Sequence, residues 1–200
     1  RHINEGDARV EGGEFDYQGL RGIALRGKTI GIMGTGKIGR RVAQIAHGFG
    51  MNIVAVDMCR TLELTDLLGV QYVTMDELLQ QSDIITLHMP ALKDTEHIID
   101  DTAFAQMKDG VILVNTARGS LIDSTALLSA LASGKVGHAL LDVLEHEKNF
   151  EENKGLIQHP NVVVTPHTAF YADDSMRNMF TDCFESIDQW LADKEPEHVV

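Results

Sequence analysis

TIGIMGTGKIGRRVAQIAHGFG, residues 29–50, joins an apolar run, three closely spaced glycines and a helical pattern of apolar residues. Gly34, Gly36 and Gly39 form the pattern GxGxxG, which alone is a weak signal because glycine-rich turns are common. Here the pattern follows a predicted strand and opens a predicted helix, as a dinucleotide-binding turn requires. The segment therefore predicts a strand–turn–helix unit that binds phosphate.

Each glycine of this turn has a predicted task. Gly34 permits the tight turn, Gly36 lets the backbone approach a pyrophosphate, and Gly39 lets helix and strand pack closely. The N-terminus of the following helix offers free N–H groups and the positive end of the helix dipole, which attract phosphate. The apolar residues of that helix fall on one predicted face: Ile38, Val42, Ile45 and Phe49.

The same alternation of strands and helices continues along the chain. Strands are predicted at residues 29–33, 52–56, 70–73, 84–88, 111–115, 137–142 and 162–165. Helices are predicted at residues 37–49, 75–80, 102–107, 124–133 and 173–192, with Ser124 at the N-cap of the fourth. The strands are continuous apolar runs, so both faces of their sheet should be covered. This order predicts an α/β fold, a doubly wound parallel sheet of the Rossmann type.

Composition limits the size and the environment of the protein. Two hundred residues with 44% apolar content suffice for one well-buried domain, predicted at residues 29–192 and preceded by a polar, glycine-rich arm or short helix at residues 1–28. A net charge of −13, with no cluster of Lys and Arg, argues against nucleic acid. No apolar run is long enough for a membrane span. Cys59 and Cys183 fit no metal-ligand spacing and favour a reducing, cytoplasmic setting.

Asp57 follows the second apolar run, about 20 residues after the glycine turn, where dinucleotide-binding folds place an acidic residue. Its carboxylate can accept hydrogen bonds from the ribose hydroxyls of NAD. The same charge would repel the 2′-phosphate of NADP, so NADH is predicted rather than NADPH. A structural glycine turn with Asp57 as an ordinary strand-end residue is the alternative.

Three later strands end in polar residues that would face the same crevice, because ligands bind outside the carboxyl ends of the strands. Arg118 can pair with a carboxylate, and His167 can donate a proton near neutral pH. Glu147 lies on an acidic loop after Asp142 and favours the protonated, oriented histidine. With NADH, these groups describe hydride transfer to a small 2-oxo acid. Each also has a structural alternative: a strand-end cap for Arg118, a structural histidine, and a solvated acidic loop that contains Glu145, Glu147, Glu151 and Glu152.

Five motifs in order resemble the D-isomer-specific 2-hydroxyacid dehydrogenases over almost the whole chain. They are GKTIGIMGTGKIG (27–39), LHMP (87–90), MKDGVILVNTARGSLID (107–123), ALLDVLEHE (139–147) and PNVVVTPHTAFY (160–171). The resemblance implies that Arg118 binds the substrate carboxylate, that His167 donates the proton, and that Glu147 supports His167. It also implies cofactor contacts at Lys37 and Ile38 (pyrophosphate), Asp57 (ribose), Met89, Pro90 and Thr95 (crevice), and Thr116, Ala117, Arg118 and Asp142 (nicotinamide side).

The segment around Phe170-Tyr171 resembles the D-lactate dehydrogenase branch and suits an apolar 2-oxo acid such as pyruvate or a branched or aromatic homologue. Residues 147–160 are fewer than that branch usually has. The resemblance further implies a homodimer with contacts through residues 1–28. It implies that most of a substrate domain lies outside this sequence, toward which residues 193–200 would return.

Two other functions share parts of this pattern. An NAD(H)-sensing interaction protein of the corepressor type has the same fold and the same triad, and would bind a peptide partner with negligible turnover. A related dehydrogenase acting on formate or phosphite is disfavoured by the aromatic residues after His167.

Overall fold

The computed structural model describes residues 2–195, and its central feature is a seven-stranded parallel sheet. The strands are β1 (Thr29–Met33), β2 (Asn52–Val56), β3 (Gln71–Tyr72), β4 (Ile84–Leu87), β5 (Val111–Asn115), β6 (Val136–Leu141) and β7 (Val162–Val164). Their order across the sheet is β3-β2-β1-β4-β5-β6-β7, and every pairing is parallel. The predicted doubly wound parallel sheet is confirmed.

Helices connect the strands on both faces of the sheet. They are α1 (Ile3–Glu11), α2 (Lys37–Gly48), α3 (Leu62–Leu68), α4 (Met75–Gln81), α5 (Asp101–Gln106), α6 (Ser124–Ala132), α7 (Phe150–Ile157) and α8 (Asp173–Leu191). A 3-10 turn covers Gly119–Leu121 directly after β5. The chain changes direction across the sheet between β1 and β4, so the crevice expected at such a switch point opens between the carboxyl ends of these two strands.

The core forms two layers because the strands are apolar on both faces. The larger layer packs β4, β5 and β6 against α4, α5 and α6, with Leu78, Leu113 and Leu127 almost wholly buried. The smaller layer packs β1 and β2 against α2 and α3, around Ile32 and Ala55. Burial of each such aliphatic side chain contributes roughly 1.5–3 kcal/mol. Both layers hold the strand ends, and therefore the loops that follow them, in fixed positions.

Helix α2 is present, but of its predicted apolar face only Val42 packs, partly buried, against the core. Its buried residues are the small ones, Gly39, Ala43 and Ala46. Ile45 and Phe49 are 60% and 54% exposed. The helix lies so close to β1 that only small side chains fit between them, and the larger apolar residues are turned outward.

Two helices were not predicted, and one helix cap was misplaced. Helix α3 lies in a stretch for which no element is predicted. Glu151 and Glu152, predicted to belong to an acidic loop, form the first turn of α7, whose N-cap Asn149 accepts a hydrogen bond from the Glu152 N–H. The N-cap of α6 is Asp123, one residue before the predicted Ser124. Acidic residues stabilise a helix N-terminus, which is the physical reason that this acidic stretch is partly helical.

The two ends of the described chain are the least buried parts. Helix α1 lies in the predicted arm, and neither α1 nor α8 contains a buried residue. None of the helices within residues 2–195 is both long and apolar enough to cross a bilayer. Arg1, and residues 196–200 of the predicted return segment, lie outside the described residues. The boundaries 1–28, 29–192 and 193–200 stay predictions.

Candidate active site

The glycine turn after β1 is shaped by contacts that leave no room for a side chain. Gly34 has φ +94°, and a Cβ there would lie 2.7 Å from the carbonyl oxygen of His88. A Cβ on Gly39 would lie 1.9 Å from the carbonyl oxygen of Gly34. The first glycine therefore allows the chain to turn beside β4, and the last allows α2 to start against the turn.

The middle glycine borders open space, which is the observation that tests whether a dinucleotide fits. Gly36 is the N-cap of α2 and has no side chain to cap the helix, and a Cβ there would meet nothing within 4 Å. The first N–H groups of the helix, which include those of Lys37 and Ile38, thus face an open position with the positive end of the helix dipole. These residues fit a pyrophosphate.

Asp57, directly after β2, lies beside this turn and is held by it. The Thr35 N–H and hydroxyl donate to Asp57 Oδ2 over 2.5 and 2.9 Å, and the Cys59 N–H donates to Oδ1 over 2.7 Å. Burial acts to raise the pKa of Asp57, but these hydrogen bonds outweigh it and hold the pKa below its ordinary value. The group is therefore an anion at neutral pH. Thr35 also contacts the Tyr72 hydroxyl (3.0 Å), a support that the sequence reasoning did not identify.

Arg118 follows β5, and its position depends on Asn115. The Asn115 side chain is fully buried; its amide donates to the Arg118 carbonyl over 2.8 Å and its oxygen accepts the Ala117 N–H over 3.0 Å. The guanidinium is exposed and donates to the Ala117 carbonyl over 2.7 Å, which leaves other N–H groups free to bind an anion. Asn115 had no predicted role, although an amide at the end of a buried strand must find partners and so carries a signal.

Arg118 lies where two clefts meet. One cleft runs from the start of α2 along the end of β4, and it is lined by Ile38, His88, Met89, Pro90, Ala91, Thr116, Ala117 and Arg118. The other is lined by Arg118 together with Glu147 and His167, among others.

The predicted crevice residues therefore lie together, with the exception of Thr95. Its hydroxyl donates to the Pro90 carbonyl and accepts the Leu92 N–H, both over 2.8 Å, so it shapes the loop that carries Pro90.

His167 and Glu147 form a contact pair across the second cleft. His167 Nδ1 lies 3.1 Å from Glu147 Oε1, and the two side chains are 40% and 43% exposed. The ring of His167 meets the edge of Phe170, with 5.9 Å between ring centroids. Because Nδ1 faces the carboxylate, Nε2 is the nitrogen left to act on a ligand in the cleft.

The backbone of His167 has a left-handed conformation, with φ +52°, and Asp142 stabilises the turn that contains it. Asp142 is 5% exposed, and its carboxylate accepts the Thr165 hydroxyl (2.5 Å) and the N–H groups of Thr168 (2.9 Å) and Ala169 (2.8 Å). Burial acts to raise the pKa of Asp142, but these bonds lower it below its ordinary value. The contact predicted between Asp142 and a nicotinamide stays a prediction; the structure gives this residue a second task.

His88 is a further member of the first cleft that received no predicted role. Its Nε2 lies 2.9 Å from the Thr86 hydroxyl, and burial lowers its pKa to about 4. The imidazole is therefore neutral at physiological pH. Within residues 2–195 no group of three His, Cys, Asp or Glu residues is arranged to hold a metal ion.

Comparisons with known proteins agree with this geometry. The family model for the NAD binding domain of D-isomer specific 2-hydroxyacid dehydrogenases matches residues 1–169. A 2-hydroxyacid dehydrogenase homolog from Haemophilus influenzae is 40% identical over 212 aligned positions, which cover 100% of this chain and 64% of that protein. An aromatic 2-oxoacid reductase from Clostridium sporogenes is 41% identical over 184 residues, 86% of this chain and 55% of that protein.

Solved structures give the same result. The crystal structure of D-lactate dehydrogenase with NAD+ from Lactobacillus jensenii has a TM-score of 0.88 and 35% identity, and the match covers 100% of this chain and 64% of that one. The chain thus spans between half and two thirds of the length of these relatives. The resemblance inferred from the five motifs is confirmed: the chain belongs to the D-isomer specific 2-hydroxyacid dehydrogenase family and contains its NAD binding domain.

Proposed function

We propose that this chain is the cofactor domain of an NAD-dependent dehydrogenase that interconverts a small 2-oxo acid and its D-2-hydroxy acid. The observation that carries the proposal is the position of Arg118, which lines both the cleft that starts at the glycine turn and the cleft that contains His167 and Glu147. A 2-oxo acid has a carboxylate beside its carbonyl group. A guanidinium at the junction of the two clefts can therefore hold the carboxylate with the carbonyl between cofactor and histidine.

The side chains divide the proposed reaction between them. NADH, when bound, supplies the hydride. Arg118 pairs with the substrate carboxylate through two N–H groups and orients the adjacent carbonyl carbon. His167 donates a proton from Nε2 to the carbonyl oxygen as negative charge develops there. Glu147, 3.1 Å from His167 Nδ1, fixes the ring and stabilises the imidazolium before the proton is donated.

Two further features support narrower proposals. The anionic Asp57 beside the turn favours NADH over NADPH, because a 2′-phosphate would meet like charge there. Phe170 meets His167 edge to face and Tyr171 meets Phe170 in the same way. This aromatic pair suits an apolar substrate side chain, in keeping with the aromatic 2-oxoacid reductase among the relatives. Pyruvate and its branched or aromatic homologues are therefore the proposed substrates.

We also propose that the protein is a homodimer of the cytoplasm. Exposed apolar side chains occur on the arm (Phe15 and Tyr17, 95% and 85% exposed) and at the end of α2 (Phe49). Patches of this kind mark contact surfaces, and a second copy would cover them. The cytoplasm is proposed because Cys59 and Cys183 are both free thiols.

The decisive experiment is a substrate panel on the full-length protein. Pyruvate, 2-oxoisocaproate, phenylpyruvate, hydroxypyruvate and oxaloacetate are each tested with NADH and with NADPH. We expect turnover with NADH and an apolar 2-oxo acid, and a loss of about 100-fold or more in kcat/KM for His167→Ala and for Arg118→Lys. Tight NADH binding with no turnover on any substrate would instead support the interaction-protein alternative.

A matched control is His146→Ala, which removes another imidazole from the same cleft. His146 lies 3.5 Å from Glu152 and has no proposed role in proton transfer. We expect this variant to retain near-normal turnover. An equal loss in the two histidine variants would show that His167 is not the proton donor.

A further inference from the structure

An ion pair outside the proposed catalytic residues joins the loop that carries Glu147 to a segment that lies along the turn after Arg118. His97 Nε2 lies 2.6 Å from Glu145 Oε1, and His97 Nδ1 lies 3.9 Å from Asp123 Oδ2. The second oxygen of Glu145 accepts the Ser124 N–H over 3.2 Å. The side chain of Glu145 is only 18% exposed, so this contact is partly shielded from solvent. The positions are 48 residues apart in sequence.

The histidine belongs to a segment that lies along the turn after Arg118. The His97 N–H donates to the Ser120 carbonyl over 2.8 Å, and the Ile99 N–H donates to the Leu121 carbonyl over 3.0 Å. His97 has φ +50°, a left-handed conformation that few residue types adopt. Its side chain is thereby directed from the Arg118 segment toward the loop after β6.

The glutamate belongs to the loop that carries Glu147, two residues further along. This loop touches the Arg118 turn directly: a Cβ on Gly119 would lie 2.0 Å from the Leu144 carbonyl oxygen and 2.5 Å from the Glu145 nitrogen. Gly119 thus permits close approach of the two loops, but it has no side chain with which to form a stabilising contact between them. The ion pair between His97 and Glu145 supplies such a contact.

We propose that His97 and Glu145 are positioning residues, which fix the loop of Glu147, and through Glu147 the His167 ring, relative to Arg118. The inference rests on the proposed function, because it concerns the distance between the group that binds the carboxylate and the groups that supply the proton. Misplacement of reacting groups by about 1 Å can reduce a rate by roughly 100-fold. A contact that spans the two loops is therefore expected to affect turnover without touching the substrate.

The charges around His97 favour the paired state. The hydrogen bond with Glu145 raises the pKa of His97, with smaller contributions from Asp123 and Glu96, while burial acts in the opposite direction. Burial acts to raise the pKa of Glu145, but the bonds from Ser124 and His97 lower it below its ordinary value. Both partners are charged between the lowered pKa of Glu145 and the raised pKa of His97, so the ionic form of the pair is lost as the pH rises through the pKa of His97.

The test compares His97→Asn with His97→Gln in the full-length protein. Asparagine tolerates the left-handed backbone but is too short to reach Glu145, whereas the glutamine amide can donate to it. For the best substrate of the panel, we expect His97→Asn to lower kcat/KM about 10-fold at pH 6 and His97→Gln to restore most of the loss. The difference between wild type and His97→Asn should shrink as the pH rises.

Two measurements distinguish positioning from general damage and from failure of the proposed function. The Kd of NADH, measured by titration calorimetry, should stay within about twofold of wild type in both variants and in the remote control His47→Asn. Oxamate has the shape of pyruvate and keeps its carboxylate, with an amino group in place of the methyl group. With NADH present, the Kd of oxamate should rise in His97→Asn. The inference would be overturned by an unchanged kcat/KM in His97→Asn, or by a loss of NADH affinity in His97→Asn as large as its loss of kcat/KM. It would also be overturned if kcat/KM did not recover in His97→Gln. A wild-type protein that neither turns over nor binds oxamate would overturn the proposed function, and this inference with it.

Discussion

The two ends of the proposed site are held in place by different means. At the glycine turn, a side chain on Gly34 or Gly39 would collide with backbone atoms. The conformation of the turn therefore depends on the absence of a Cβ at these two positions. At the acid–base end, His167 is positioned by added contacts, chiefly the hydrogen bonds that the carboxylate of Asp142 accepts. A side chain added at Gly34 or Gly39 should therefore disrupt the first end, and the loss of an acceptor on Asp142 should disrupt the second.

Gly39→Ala tests the first half of this comparison and should have the largest effect. The new Cβ would lie 1.9 Å from the Gly34 carbonyl oxygen, and two backbone segments would have to move apart. We expect the free energy of unfolding to fall by about 3 kcal/mol and Tm by roughly 6–12 °C. Calorimetry measures both.

Gly36→Ala is the matched control, because it adds the same methyl group three residues away. Its φ of −64° suits alanine, and the Cβ would meet nothing within 4 Å. Tm should change little, while the Kd of NADH rises because the methyl group borders the proposed phosphate position. Equal destabilisation in the two variants would contradict steric control of the turn.

His88 connects the two ends, since its carbonyl packs on Gly34 and its ring lines the cleft that reaches Arg118. Burial lowers its pKa to about 4, so the unfolded chain binds more protons than the folded one between pH 6.5 and about 4. The free energy of unfolding should therefore fall as the pH falls through this window, by at most about 3 kcal/mol.

Urea unfolding at pH 7.5, 6 and 5 measures this dependence. His88→Gln has no titrating ring at this position and should flatten the curve; His47→Gln, which removes an exposed imidazole, is the matched comparison. If the His88→Gln curve keeps the wild-type slope, His88 is not the group responsible.

Asp142→Asn tests the second half of the comparison. An amide nitrogen replaces one carboxylate oxygen and cannot accept a hydrogen bond from the Thr165, Thr168 or Ala169 donors. Leaving one donor unsatisfied at a buried position should lower the free energy of unfolding by about 2 kcal/mol. In Asp123→Asn the same change falls on a helix N-cap, where asparagine caps as well as aspartate, and we expect less than about 0.5 kcal/mol. Chemical denaturation of both variants decides whether Asp142 has this role.

The same contrast explains what the sequence could predict. The glycine turn, the strands and their parallel order follow from local patterns, because apolar runs and glycine spacing act within a few residues of one another. Arg118 and His167 were predicted for a related reason, since each follows the end of a strand, whereas His88, which also follows one, was not. Ile45 and Phe49 were correctly predicted to follow the helical pattern of α2, but they were placed on its packed face and are exposed. Which face packs depends on how near α2 lies to the sheet, and the sequence pattern does not contain that distance.

The supports of the acid–base end were not predictable in this way. Asn115 and Asp142 act on neighbours in three dimensions, and His97 meets Glu145 only after two loops have folded together. The only local signal was a polar residue at the end of a buried strand, as at Asn115, which must be satisfied by some partner. The identity of that partner depends on loop conformation.

Asp57→Asn gives the smallest expected effect and sharpens the comparison, since Asp57 belongs to the glycine end yet acts through charge. Asparagine loses one acceptor for the Thr35 and Cys59 donors, so binding of both cofactors should weaken. That structural loss affects NADH and NADPH alike and cancels in the ratio of their Kd values. Wild type should prefer NADH at least about 10-fold, equivalent to about 1.4 kcal/mol, and the variant should lose most of this preference because no like charge then faces the 2′-phosphate. Calorimetric Kd values that keep their wild-type ratio in Asp57→Asn would show that shape at the ribose position, and not the carboxylate, selects the cofactor.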